Sequence, residues 1–217
     1  MVQWGNIACK APWSMITIGP RGEVKLCCST HEWPSHISQQ DSLVDWFNSK
    51  YYKDVRNKFE NKIWPNACLV CEKAVVKKQT PSRDFPYFAN LPIGENLDLK
   101  IKKPVALEFT PSNLCNQTCA MCGSNFSSKW FAHDKRAVEQ GLDWRGRQPG
   151  LVNIEDKPHQ MTDKDFNKII EILPSIENIT IKGGEPFTDP RNIQILEFFA
   201  ESQYNLDIID ITSNVHS

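Results

Sequence analysis

Apolar and polar residues in the second half of the chain follow two periodic patterns. Residues 105–110, 176–182 and 206–212 are short, mainly apolar runs that are typical of strands. Residues 163–173 precede the second run, and residues 190–199 lie between the second and third runs. Both segments place apolar side chains at three- and four-residue steps, which predicts helices. Repeated strand–helix units predict an α/β fold with a parallel sheet, whose ligands gather at the carboxyl ends of the strands.

The first part of the chain has a different pattern. Residues 13–18 and 23–26 flank a Gly- and Pro-containing turn at 19–22, and this arrangement predicts a β-hairpin. Residues 42–61 carry apolar side chains at helical spacing and predict one helix. A hairpin next to a helix is typical of a small α+β unit.

These patterns divide the chain into three parts. We expect a small α+β domain at residues 1–78 and an α/β core at residues 105–217. Residues 79–104 contain several prolines and little periodicity, so they are expected to form a linker on the surface.

Composition limits the classes of partner and compartment. The 217 residues include 25 basic and 26 acidic side chains, a net charge of -1, so no overall field attracts nucleic acid. The N-terminus has no signal-peptide pattern, and no run approaches the roughly 18 apolar residues of a membrane helix. We therefore expect a soluble, cytoplasmic protein with no nucleic-acid or membrane partner. Eight cysteines in a reducing compartment indicate metal or redox cofactors rather than disulfides.

Three of the cysteines, Cys115, Cys119 and Cys122, lie in one short loop after the first core strand. A four-iron cluster needs four thiolates to be coordinatively closed, so three thiolates leave one iron open for another ligand. The alternative is part of a zinc site that takes its fourth ligand from elsewhere in the chain.

The other five cysteines precede the core. Cys9 and Cys27 flank the predicted hairpin, and Cys68 and Cys71 form a Cys-x2-Cys pair after the predicted helix. Together they are expected to make a closed four-thiolate site, with Cys28 as a surplus thiol. Four thiolates serve zinc as well as iron, so both metals stay open.

The Cys-x3-Cys-x2-Cys loop resembles the cluster motif of the radical S-adenosylmethionine (SAM) superfamily, and the run Gly183, Gly184, Glu185 and Pro186 resembles its GGEP motif. The resemblance implies that a 4Fe–4S cluster on the loop binds SAM and cleaves it reductively to a 5'-deoxyadenosyl radical. It also implies that the GGEP run holds the SAM amino group. In the same family the position of Met121 flanks the adenine.

Asn214 ends a Thr-Ser-Asn run that looks like the Thr-Asn-Gly element of relatives, where it would contact the cofactor. A capping or turn role is the alternative for this residue. The resemblance further implies a partial (β/α) barrel with about three of six units, so we expect the chain to be a fragment of a longer enzyme.

The N-terminal cysteines resemble the twitch and SPASM auxiliary-cluster domains of the same superfamily. Residues 22–27 match the Gly-x4-Cys element of those domains, although the domain here precedes the core instead of following it. Cys9, Cys27, Cys68 and Cys71 would then bind an auxiliary Fe–S cluster.

The resemblance implies a radical SAM enzyme, an oxidoreductase that abstracts hydrogen from a peptide or small-molecule substrate. It also implies an electron donor such as flavodoxin or ferredoxin. The alternative is a non-enzymatic zinc- or Fe–S-binding module with a structural or interaction role.

Overall fold

The computed structural model describes residues 9–30, 32, 34–91, 103–142, 161–204 and 206–214. Within these residues the protein is a mixed α/β structure with one six-stranded sheet. The strands are β1 (Met15–Ile18), β2 (Glu23–Lys25), β3 (Ser35–His36), β4 (Ala106–Phe109), β5 (Asn178–Ile181) and β6 (Ile208–Ile211). The helices are α1 (Ala11–Ser14), α2 (Leu43–Phe47), α3 (Lys50–Glu60), α4 (Leu69–Val76), α5 (Pro86–Ala89), α6 (Phe131–Glu139), α7 (Asp163–Ile170) and α8 (Pro190–Glu201).

The strands lie in the order β3-β2-β1-β4-β5-β6. The pairs β1–β4, β4–β5 and β5–β6 are parallel, while β2 pairs antiparallel with both β1 and β3. The predicted hairpin and the predicted parallel core sheet are therefore confirmed. The partial barrel and the domain boundaries stay predictions.

The hairpin adds its strands to the edge of the core sheet, which the sequence did not indicate. Met15 and Ile18 of β1 lie opposite Ala106 and Phe109 of β4, so a single sheet runs through both predicted domains. A buried lysine adds a second connection, because Lys168 of α7 donates to the Ile37 carbonyl oxygen at 2.9 Å. The same ammonium group pairs with Asp165 of its own helix at 2.9 Å.

Two predicted segments differ from the structure. The single helix expected over 42–61 is two helices, because Asn48 ends α2 and Ser49 adopts an extended conformation before α3. Asn and Ser favour helix ends, where their side chains bond to the backbone; the Asn48 side chain donates to the Val44 carbonyl at 2.8 Å.

The expected surface linker also buries apolar side chains in the part that is described. Phe88 of α5 and Leu91 pack with Ala11, Met15 and Ala106 in a small second core. Residues 92–102 of the linker lie outside the described residues.

Helix starts in the core follow the capping signals. The Thr162 hydroxyl accepts from the Asp165 backbone N–H at 3.2 Å at the start of α7. Asp189 accepts from the Arg191 N–H at 3.0 Å, and Pro190 occupies the first turn of α8.

The sheet has one apolar face, which is covered by helices. Alternate strand residues such as Ile16, Leu107 and Ile179 are fully buried in the main core together with side chains of α2, α3, α7 and α8. The opposite face carries polar residues in register, including Glu108 and Thr180. None of the described helices is long and apolar enough to cross a membrane.

Candidate metal centres

The three-cysteine loop lies at the carboxyl end of β4, where the sequence placed it. Buried Asn113 holds the two ends of the loop together, since its side-chain amide donates to the Ser124 carbonyl at 2.7 Å. Its own carbonyl accepts from the Ser128 N–H at 2.7 Å. The carboxylate of Asp134, on α6, accepts from the Ser124 N–H at 2.8 Å. The loop is thus closed by its own backbone and by the following helix.

Further contacts hold the backbone at the cysteines themselves. The Cys115 N–H donates to the Ser128 hydroxyl at 3.2 Å, and the indole N–H of Trp130 donates to the Cys119 carbonyl at 3.1 Å. The Cys122 N–H donates to the Cys119 carbonyl at 3.0 Å. All three cysteines are partly exposed. The loop therefore presents three thiols near the surface on an ordered backbone.

The Gly183-Gly184 turn packs directly against this loop. The Gly184 N–H donates to the Phe126 carbonyl at 2.9 Å, and the Glu185 N–H donates to the Leu114 carbonyl at 2.7 Å. Both glycines have positive φ, +81° and +56°. A Cβ on Gly184 would overlap the Leu114 carbonyl group, and one on Gly183 would overlap the Thr110 side chain. The glycines are required for this close approach whatever they do toward a cofactor.

Glu185 links the glycine turn to the end of the third core strand. Its carboxylate accepts from the Ser213 hydroxyl at 2.7 Å and from the Asn214 backbone N–H at 2.8 Å. The Asn214 side chain donates to Asn116 of the cysteine loop at 2.9 Å. The three motifs that the sequence identified therefore form one hydrogen-bonded unit at the carboxyl edge of the sheet.

The remaining predicted cofactor residues differ in exposure. Pro186 is buried, and its carbonyl accepts from the Asn192 side chain at 2.9 Å. Met121 is 88 % exposed, at the tip of the cysteine loop. The contacts of these residues, the glycines and Asn214 with a cofactor stay predictions.

The four N-terminal cysteines line one pocket. Cys9 lies just before α1, Cys27 follows β2, Cys68 precedes α4 and Cys71 lies in its first turn. The apolar residues between them are Leu26, Phe59, Trp64, Ala67 and Phe88. The hairpin, α3 and α4 thus bring together thiols that are far apart in sequence.

Burial and mutual proximity change the acidity of these thiols. The pKa of Cys9 is raised to about 11 and that of Cys27 to about 12, mainly by burial and to a smaller extent by the charges of neighbouring thiolates. The pKa of Cys68 is raised by the same two causes. A bound cation would reverse this effect, because metal binding favours the thiolate.

The donor set of the pocket consists of four thiols. A zinc ion needs its thiolates about 2.3 Å from one centre, whereas a cluster distributes its ligands over several irons. Because thiolates bind both groups, the four residues fit a closed iron–sulfur cluster as well as a zinc ion.

Cys28 faces a different environment from Cys27. It lies with Glu108 in a separate pocket on the polar face of the sheet. Its surplus role was predicted from sequence, but its position beside a buried carboxylate was not.

The supporting roles of Asn113, Asp134 and Ser213 could not be predicted from sequence either. These are ordinary polar residues, and only their contacts in the folded chain identify them.

Comparison with known proteins gives one match. Residues 9–72 match the family model described as SPASM, an iron–sulfur cluster-binding domain. The match includes all four cysteines of the N-terminal pocket and Cys28. No curated protein and no solved structure matches the chain.

Proposed function

We propose that the chain is part of a radical SAM enzyme with two iron–sulfur clusters. The loop of Cys115, Cys119 and Cys122 would hold a 4Fe–4S cluster with one open iron, and the N-terminal pocket would hold an auxiliary cluster. The observation that supports this most is the hydrogen-bonded unit of cysteine loop, Gly-Gly-Glu-Pro turn and Thr-Ser-Asn run. The SPASM match supports the second site and indicates iron–sulfur binding, typical of radical SAM enzymes.

Each part of the chain has a separate task in this proposal. The bound cofactors would supply one-electron cleavage of SAM, which generates the radical that abstracts hydrogen. The contacts of Trp130 and Ser128 keep the loop backbone in place while one coordination position stays open. Glu185, whose two carboxylate oxygens accept from Ser213 and Asn214, would position the glycine turn beside that loop.

The substrate is proposed to be a peptide or a small molecule, and the electron donor a flavodoxin or ferredoxin. A cytoplasmic location is proposed with them, because free thiols and open clusters need a reducing compartment.

Counting metal and sulfide in anaerobically purified protein tests this proposal. We expect about six irons and six acid-labile sulfides per chain if the auxiliary cluster is 2Fe–2S, or about eight of each if it is 4Fe–4S, and SAM should bind with the clusters present. Zinc in place of iron at both sites would overturn the proposal and favour a structural or interaction module.

A further inference from the structure

One face of the sheet carries a row of polar side chains in register, which we call the polar row. Thr17, Glu108, Thr180 and Asp210 lie side by side on β1, β4, β5 and β6. Because side chains alternate along a strand, this row lies opposite the apolar face that the helices cover. Glu108 is only 5 % exposed and Thr17 only 3 %. Buried polar groups in the middle of a sheet need partners.

A pocket of about 570 Å³ opens over the hairpin side of the polar row. Thr17 and Glu108 line it, with Cys28 from the end of the hairpin and with Asn125 and Phe126 from the end of the cysteine loop. Cys28 is adjacent to Cys27 of the N-terminal metal pocket, and Asn125 follows Cys122 by three residues. The pocket is thus lined by sequence neighbours of both candidate metal centres, and it is large enough for a small molecule.

Two buried oxygens of the pocket have no nitrogen or oxygen partner within the described part of the chain. One carboxylate oxygen of Glu108 accepts from Lys182 Nζ at 3.2 Å, and the other, Oε2, has no such partner, although the Cys28 thiol interacts with the same carboxylate. The hydroxyl of Thr17 has none either. An unsatisfied buried polar group costs about 1–3 kcal/mol, and more when it is charged. A ligand that bonds to both oxygens would recover this free energy.

Charge determines which ligand group fits. The lining contains two cations, Arg21 and Lys25, and two carboxylates, Glu23 and Glu108. Lys182 adds a further positive charge beside Glu108. A cationic ligand group would thus gain little net attraction here. Glu108 Oε2 can only accept a hydrogen bond, while the Thr17 hydroxyl can donate one.

We propose that this pocket binds a neutral ligand group that both donates and accepts hydrogen bonds, namely a hydroxyl or a carboxamide, between Glu108 and Thr17. The group would donate to Glu108 Oε2 and accept from Thr17 Oγ1. That this ligand is the substrate rests on the function proposed above; that the pocket binds it does not.

Cys28 provides a reporter for the test, because it is exposed and lines the pocket. Burial of the thiol and the charge of Glu108 raise its pKa to about 12, so its alkylation is slow and is compared between samples at one fixed pH. Anaerobically purified, cluster-loaded protein is treated with iodoacetamide, and alkylation of each cysteine is followed by peptide mass spectrometry. The probes are erythritol for a hydroxyl, acetamide for a carboxamide, methylammonium for a cation and acetate for an anion, each at millimolar concentration. Erythritol or acetamide should slow alkylation at Cys28, and whichever protects identifies the group.

Two matched variants locate the binding group. Thr17→Val removes the unpartnered hydroxyl without losing a protein hydrogen bond, and it should weaken protection about fivefold. Thr180→Val removes a buried hydroxyl of the same polar row on β5 that does not line the pocket, and it should leave protection unchanged.

Three results would overturn the proposal: no protection by either neutral probe, equal protection by methylammonium or acetate, or equal effects of the two valine variants. Iron content and SAM cleavage are measured on the same samples. Absence of iron and of SAM cleavage, with protection of Cys28 intact, would contradict the proposed function alone. SAM cleavage without protection of Cys28 would contradict only the binding site.

Discussion

The two groups of cysteines are held in contrasting ways. Cys9, Cys27, Cys68 and Cys71 come from separate segments and meet in a pocket lined with apolar side chains. The loop cysteines instead lie within one short segment whose backbone is tied by side chains such as Trp130 and Ser128. The first site has four thiols, of which Cys27 is buried and the others are partly exposed, whereas the second has three thiols, all partly exposed. The number of thiols, more than their exposure, therefore distinguishes a site that could close a cluster from one that would leave a position for a further ligand.

The largest expected effect follows from replacing a cysteine of the loop. Cys119→Ser should remove the loop cluster and abolish SAM cleavage, because two thiolates cannot hold a four-iron cluster with one open iron. Cys28→Ser is the matched control and should retain both clusters, since Cys28 lies outside the four-thiol pocket. Iron content and SAM cleavage are the measurements. Cleavage at the wild-type rate by Cys119→Ser would sink the assignment of the loop.

Removing two thiols from the pocket should affect the auxiliary cluster and leave the loop cluster in place. In Cys68→Ser/Cys71→Ser, iron content should fall by about one cluster, and SAM cleavage with a strong reductant should continue, while product formation fails. The reason is that cleavage needs only the open cluster. Product yield unchanged after iron loss would reduce the pocket to a structural role.

The glycine turn tests how strongly the loop depends on its neighbour. Gly184→Ala should destabilise the protein by about 3 kcal/mol, because positive φ and overlap with the Leu114 carbonyl act together. Gly141→Ala also has positive φ but meets nothing within 4 Å, so it should cost only about 1 kcal/mol. Urea unfolding of metal-free protein measures both changes. Equal costs would mean that the turn does not support the loop.

The smallest expected effect concerns the acidity of Cys27 in the N-terminal pocket. In metal-free protein the pKa of Cys27 is raised from 9.0 to about 12, so the unfolded chain loses this proton at lower pH than the folded chain. The stability from the neutral thiol is therefore complete below pH 9 and is lost as pH rises toward 12. Cys27→Ala should show a smaller decline in the free energy of unfolding between pH 8 and 10 than wild type. Parallel pH profiles would contradict the burial of this thiol.

Much of the parallel sheet could be predicted from sequence, because the strands and helices of the core have clear periods. Contacts between distant segments could not be predicted. The pairing of β1 with β4, the fit of Gly184 against Leu114 and the contact of Glu185 with Ser213 all depend on tertiary packing. The break at Asn48 shows the same limit locally, since the apolar period continues across it.

The ligands of the candidate centres could be predicted from sequence better than their surroundings. Cysteine spacing was enough to divide the thiols into two sets, because the usual protein ligands of iron–sulfur clusters are cysteine thiolates. The environment of Cys28 was not predictable, since adjacent residues of a chain can face different pockets.

In the proposed function, one centre is open to SAM and the other is closed. Electron paramagnetic resonance of the anaerobically reduced protein, recorded with and without SAM, is the sharpest test of this difference. We expect two cluster signals, of which only one changes on addition of SAM, and Cys119→Ser should remove that one. A single signal, two signals that both ignore SAM, or a SAM-sensitive signal that survives Cys119→Ser would contradict it.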